Sequence, residues 1–320
     1  MTRLRAARSP YSLLGILIFC LFCGQGAGAE DAAGAEARES AYAGVGADTC
    51  LGCHNDEKML LLFRTPHGQG ADPSTPMAHL QCESCHVGGA EHSGRRNIGA
   101  GHPAIVNFGR GSETPIEQQN GICMGCHTRH VGMAWTGSVH ERNQVLCGDC
   151  HNPHEPVDRV SLLTEQADVC YECHKQVRAQ SLKPYAHPIR QGILACTACH
   201  NPHHSVNDAL LVRNNVTELC WSCHSELRGP YLWEHAPVTE DCSLCHYAHG
   251  SIHPAMLVKR PPLLCQSCHS QAGHPSLSLT PGGLPGGGGS PSAFLLNGSC
   301  LNCHSQVHGS NHPSGSQLMR

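Results

Sequence analysis

Apolar residues along this 320-residue chain do not fall into long periodic stripes, because 35 glycines and 21 prolines interrupt the pattern throughout. Either residue ends or kinks a helix and weakens a strand. One continuous apolar run stands out, Leu13 to Cys23, preceded by Arg3, Arg5 and Arg8 and followed by the small residues Ala27-Gly28-Ala29. This order predicts a secretory signal over 1–29, cut after Ala29. Eleven apolar residues fall short of the roughly 20 that span a bilayer, and Phe22 stands where a lipoprotein signal around Cys23 requires a small side chain. Residues 30–46, acidic and rich in Ala and Gly, predict a flexible leader, and PGGLPGGGGSP at 281–291 a linker. That glycine run lacks the Lys-Ser/Thr ending of a phosphate loop. No other stretch is long and apolar, or regularly alternating, enough to suggest insertion into a membrane.

Against this broken pattern one group repeats. C-x-x-C-H occurs ten times and uses twenty of the 22 cysteines; Cys20 and Cys23, in the signal, are the other two. The pairs are Cys50 and Cys53, Cys82 and Cys85, Cys123 and Cys126, Cys147 and Cys150, Cys170 and Cys173, Cys196 and Cys199, Cys220 and Cys223, Cys242 and Cys245, Cys265 and Cys268, and Cys300 and Cys303. The histidines that follow them are His54, His86, His127, His151, His174, His200, His224, His246, His269 and His304. Structural zinc also favours C-x-x-C, but takes its histidines at variable distances. With histidine at about 8% of the chain, finding it after all ten pairs by chance has a probability on the order of 10⁻¹¹. For c-type haem the spacing has a mechanical cause: both thiols add to the porphyrin vinyl groups and the next residue supplies an imidazole to the iron. Ten motifs predict ten covalent haems. Export, and cysteines otherwise fully committed to the motifs, point to the bacterial periplasm.

Composition agrees. Only 4% of residues are aromatic and the 40% apolar figure includes the cysteines, which alone would suggest disorder. Ten porphyrins supply the missing apolar bulk, so the expected fold is a multihaem cytochrome c, mostly coil with short helices wrapped around a chain of haems and little or no β. It would run over 47–320, with haems one to five over about 47–185 and six to ten over about 186–320. Segments such as YECHKQVRAQSL and WSCHSELR predict short helices starting in the odd-numbered motifs. The haem-free chain is expected to be largely unfolded.

Sixteen histidines lie outside the motifs. After the odd motifs come His67, His140, His187, His235 and His274, the first three at one fixed offset of 17 residues from the first cysteine. After the even motifs come His92, His154, His203 and His249, then His308 or His312, with proximity favouring His308. This gives one extra imidazole per iron and predicts bis-histidine ligation, with a low-potential, low-spin set. His79, His102, His130, His204 and His253 keep a surface or structural role. His200 and His203 have Cα atoms at most about 10 Å apart, too close to flank one haem, so His203 must reach a different iron. Which extra histidine serves which haem stays open.

The formal charge of −4 becomes −7 once Arg3, Arg5 and Arg8 are removed, before any haem propionates, which argues against nucleic acid. Redox proteins with basic docking patches fit better. An electron relay needs every iron six-coordinate, whereas a multihaem oxidoreductase announces an open iron by a lysine-ended motif or a missing ligand, and neither is visible. Haem storage fits poorly with covalent attachment.

The ten motifs, WEHAPVTEDCSLCHYAHG and the ending SCLNCHSQVHGSNHPSG resemble the MtrA/DmsE family of periplasmic decahaem cytochromes over nearly all of the mature chain. CSLCHYAH departs from the family's NPH form but keeps His249. The resemblance implies ten covalently bound haem c groups in an elongated plug of an outer-membrane β-barrel porin. Such a plug passes electrons between periplasmic or inner-membrane cytochromes and an outer-surface multihaem cytochrome or terminal reductase. Direction of flow is not encoded.

Overall fold

The computed structural model describes residues 42–94, 101–129, 133–207, 209–269 and 300–319. The predicted signal, the linker 281–291, most of the leader, His130 and His274 lie outside the described residues.

Among the described residues the longest helix, Ile116–Cys126, has 11 residues, and most have four to seven. Helices this short are marginal in water, since nucleation fixes several dihedrals for one hydrogen bond. Side-chain caps help some of them: Asn215 Oδ1 accepts from Glu218 N (2.8 Å) ahead of Val216–Trp221, and Ser138 Oγ from Glu141 N (3.1 Å) ahead of Val139–Arg142. No strand forms among the described residues. Four isolated bridges occur, two closing local loops (His200 with Leu211, His246 with Leu257) and two joining distant ones (Tyr185 with Ser251, Trp233 with Ser310).

The motifs alternate between two settings. Each odd-numbered motif has its first cysteine on an α-helix: Ala47–Leu51, Ile116–Cys126, Gln166–Tyr171, Val216–Trp221 and Leu263–Gln266. Each even-numbered motif has its first cysteine on a 3₁₀ turn: Gln81–Ser84, Cys147–Asp149, Cys196–Ala198, Cys242–Leu244 and Cys300–Asn302. The odd-motif helices therefore begin before their motifs and stop within them, and in YECHKQVRAQSL a separate helix, Lys175–Ser181, starts after the histidine. The expectation of helices starting in the odd motifs is thereby corrected: the α-helices end there, and beyond the histidine of WSCHSELR there is only the 3₁₀ turn Ser225–Leu227.

Polar groups clamp four of the five odd helices to the following even turn or the residues beside it. Asn120 accepts from Cys147 N (2.9 Å) and donates to Val145 O (2.9 Å). The Gln166 amide, buried at 6% exposure, receives Thr197 N (3.0 Å) and donates to Val160 O (2.6 Å). Ala47 N donates to Gln81 Oε1 (2.5 Å), and Thr217 Oγ1 donates to Glu240 O (3.2 Å). A buried amide that satisfies its partners this completely fixes a register that a thin apolar core could not. That core is thin indeed: the buried apolar residues among those described include Leu146, Val169, Tyr171 and Ala195, all directly adjacent to motif cysteines.

Candidate functional site

Each motif closes into one turn. In all ten, the histidine N–H donates to the carbonyl of the first cysteine at 2.8–3.0 Å. Three residues apart on such a turn is one face, so both thiols point the same way and the imidazole stands beside them. None of the twenty motif cysteines is in a disulfide.

The turns are strung together through their thiols. Within each odd–even pair the first thiols lie within hydrogen-bonding reach: Cys50 with Cys82, Cys123 with Cys147, Cys170 with Cys196, Cys220 with Cys242, and Cys265 with Cys300. Burial and the Cys50 thiol push Cys82 up to about 11, whereas the hydrogen bond from Cys147 brings Cys123 down to about 7. Between pairs the second thiols are neighbours. Burial raises Cys85, Cys150, Cys199 and Cys245, with further contributions from Cys126, Cys173, Cys223 and Cys268 respectively. The five junctions within pairs are thus thiol-to-thiol approaches, and at the four between pairs the thiols are near enough to act on one another electrostatically.

The imidazoles face one another in pairs. His54 faces His92, His67 faces His127, His86 faces His154, His140 faces His174, His151 faces His203, His200 faces His249, His235 faces His269 and His246 faces His308, all with ring centroids 6.0–6.3 Å apart. Every pair joins one motif histidine to one of the extra ten. Two metal–nitrogen bonds of about 2.0 Å, plus about 1.1 Å from each nitrogen to its ring centre, span about 6.2 Å. The gap is that of an iron between two imidazoles, and too wide for near-parallel rings in contact.

The pairing obeys a rule invisible in the spacing. Extra histidines after odd motifs reach forward two motifs: His67 to the third, His140 to the fifth, His235 to the ninth. Those after even motifs reach back two: His154 to the second, His203 to the fourth, His249 to the sixth, His308 to the eighth. The first motif breaks the rule and takes His92 from its immediate neighbour. His203 does face a different motif from its own, and of His308 and His312 it is His308 that faces a motif imidazole. His312 Nδ1 instead accepts from Ser314 N (3.2 Å). His79 donates from Nε2 to Pro73 O (2.8 Å).

A second layer fixes the tautomers. His86, His92, His140, His187, His200, His235, His246 and His304 each donate from Nδ1 to a backbone carbonyl at 2.6–2.9 Å. A carbonyl only accepts, so the proton sits on Nδ1 and Nε2 keeps a lone pair for a metal. The acceptors for His140, His187 and His235 are Pro202, Ala248 and Val307, each immediately before an extra histidine of an even motif. Loop shape does the rest: Asn152 and Asn201 side chains accept from His154 N and His203 N, the Asx turns that NPH encodes. Burial, then the facing imidazole, holds His67, His154, His203, His249 and His308 below the ordinary histidine value, which keeps them neutral. Carbonyl acceptors leave no trace in a sequence, so this layer was unreadable there.

The residues fit haem c: paired thiols on one face, neutral imidazoles with free Nε2, and the buried Trp135 Nε1 donor, which has no acceptor among the described residues and whose ring lies 6.4 Å from that of His203. The chain is a multihaem c-type cytochrome, an electron-transfer protein that carries covalent haem c. Residues 187–229 and 235–274 match the family described as doubled CXXCH motif, and 82–167 match that described as cytochrome c-type protein NrfB-like. Over 283 residues, 88% of this chain and 84% of the relative, it is 44% identical to the multiheme cytochrome MtrA of Shewanella baltica (strain OS185). It belongs to the MtrA family of multihaem cytochromes.

No described helix is long and apolar enough to cross a membrane.

Proposed function

We propose that the chain holds ten haem c groups, each between two imidazoles, and relays electrons across the outer membrane as the plug of a β-barrel porin. The eight facing imidazole pairs carry this reading. The forward rule assigns His187 to His224, and the count leaves His274 to His304. Haem c supplies at each site a reversible one-electron iron couple. The chain's own work is placement. The cysteine pairs would anchor each group, the neighbouring thiols would keep successive groups close, and the facing imidazoles would hold the metal and exclude substrates and water. The twenty motif cysteines, His54, His86, His127, His151, His174, His200, His224, His246, His269 and His304 are the covalent and proximal contacts in this reading.

The donors and acceptors are periplasmic or inner-membrane cytochromes on one side and an outer-surface multihaem cytochrome or terminal reductase on the other. The family relationship and the export signal of the sequence support this location. Mass spectrometry of the purified protein should give ten porphyrins, electron paramagnetic resonance only low-spin ferric iron, and gentle extraction a complex with an outer-membrane barrel. Fewer porphyrins, or one carbon-monoxide-binding haem in the reduced native protein, would overturn the ligation scheme. Recovery only as a free monomer, in a cell without a barrel partner, would overturn the plug.

A further inference from the structure

We propose that Asp158 makes the iron site of the fourth motif the hardest of the ten to reduce. The inference rests on the reading of His151 as an iron ligand. His151 Nδ1 donates to Asp158 Oδ2 at 2.5 Å. The corresponding nitrogens of His86, His200, His246 and His304 donate to the neutral carbonyls of Val106, Ala209, Ala255 and Gln317 at 2.7–2.9 Å. A carboxylate acceptor draws the Nδ1 proton toward itself more strongly than a carbonyl does, and so makes Nε2 the better electron donor. The better donor favours the ferric over the ferrous state.

Asp158 is held for this task. Its other oxygen, Oδ1, caps the turn Arg159–Ser161 by accepting from Val160 N (3.4 Å), which fixes the carboxylate in orientation. Its surroundings reinforce the sign. Burial, then Asp149, Cys173, Asp158 and Glu172, raise the Cys150 thiol of the same motif, so a negative field reaches the point of attachment. Asp149, Glu155, Asp158 and Glu172 line one cleft around His151. The nearby cations are already engaged, Arg110 with Asp149 (2.5 Å) and Arg159 with Glu165 (3.2 Å) and Glu172 (4.0 Å). Among the described residues a second motif histidine has a carboxylate close by: Glu226 lies 3.5 Å from His224 Nδ1, with both side chains more than half exposed. That contact is longer and wetter, and a weaker lever.

Asp158 acts through His151 and is a positioning residue. Its effect is to be read in the haem-loaded protein by potentiometric titration followed in the visible spectrum. Asp158→Asn keeps an acceptor and removes the charge, and should change the ferric-to-ferrous ratio of the most negative component about tenfold. For one electron this is a positive shift of about 59 mV. Asp158→Glu should restore most of it, and Glu226→Gln should move no component as far. Should Asp158→Asn fail to accumulate, Glu172→Gln should move the same component in the same direction by less. An unmoved most-negative component, with haem content and low-spin signals intact, overturns the role of Asp158, as does an equal shift from Glu226→Gln. High-spin iron in the unaltered protein would instead overturn the ligation reading on which it rests.

Discussion

Removing His203 should open an iron that its own motif does not hold. His203 lies three residues past His200, yet its ring faces His151 at 6.0 Å and 18°. In His203→Ala the loop keeps its shape, because the Asn201 side chain bonds the backbone N–H of residue 203 at 3.2 Å and not the imidazole. The lesion would therefore be the loss of one imidazole from the pair that faces across the fourth site. With one site in ten affected, about one-tenth of the haem iron should become high-spin, and the reduced protein should bind about one carbon monoxide per chain. The location is found by subtraction. Placed in a background lacking Cys147 and Cys150, His203→Ala should add no new high-spin iron. In a background lacking Cys196 and Cys199 the signal should persist. The reverse outcome, with the signal disappearing alongside the sixth motif, would refute the crossed ligation.

Three further outcomes follow from the same geometry. The ring pairs fall into two classes, five at 18–31° and three, His67–His127, His86–His154 and His140–His174, at 65–77°; paramagnetic resonance should accordingly show rhombic low-spin signals together with a smaller set of strongly anisotropic ones, and a single class would contradict the ring orientations. Gln166→Ala removes a buried amide that bonds the Thr197 N–H and the Val160 carbonyl, both groups that water can partly reach, at a cost of about 1–1.5 kcal/mol, measurable as a lowered denaturation midpoint; a change under about 0.5 kcal/mol would mean the clamp is idle. Acid should weaken the protein: His67, His154, His203, His249 and His308 have folded values below the ordinary 6.5, so the unfolded chain binds protons that the folded one refuses, and stability present above about pH 6.5 is lost as the pH falls below it. Thermal unfolding across that window gives the sign, and greater stability on the acid side would reverse the argument.

The class of the protein was legible because the C-x-x-C-H spacing is a chemical requirement, and it survives in a chain with almost no periodic pattern. Even the extra histidines could be read, since repeated offsets such as Cys123 to His140 and Cys170 to His187 reflect a repeated backbone path. What the offsets concealed was destination. His140 is counted from Cys123 but faces His174, and His203 follows His200 closely but faces His151, because the partner is fixed by how loops cross in space. Pro202, Ala248 and Val307 act through their carbonyls alone, and any residue could have supplied them. Helix beginnings slipped for a related reason: Gln166 and Asn120 anchor the odd helices from ahead of the cysteines through tertiary amide bonds, while local propensity pointed to the stretches behind.

The two-forward, two-back exchange of imidazoles also constrains heredity. Duplicating or losing a single motif would break the imidazole pairs that span it, while pairs lying wholly to one side, such as His235–His269 and His246–His308, would keep their partners. Adding or deleting an adjacent couple preserves the weave. An adjacent couple of motifs is therefore the unit by which such a chain could grow or shrink while every facing imidazole keeps a counterpart.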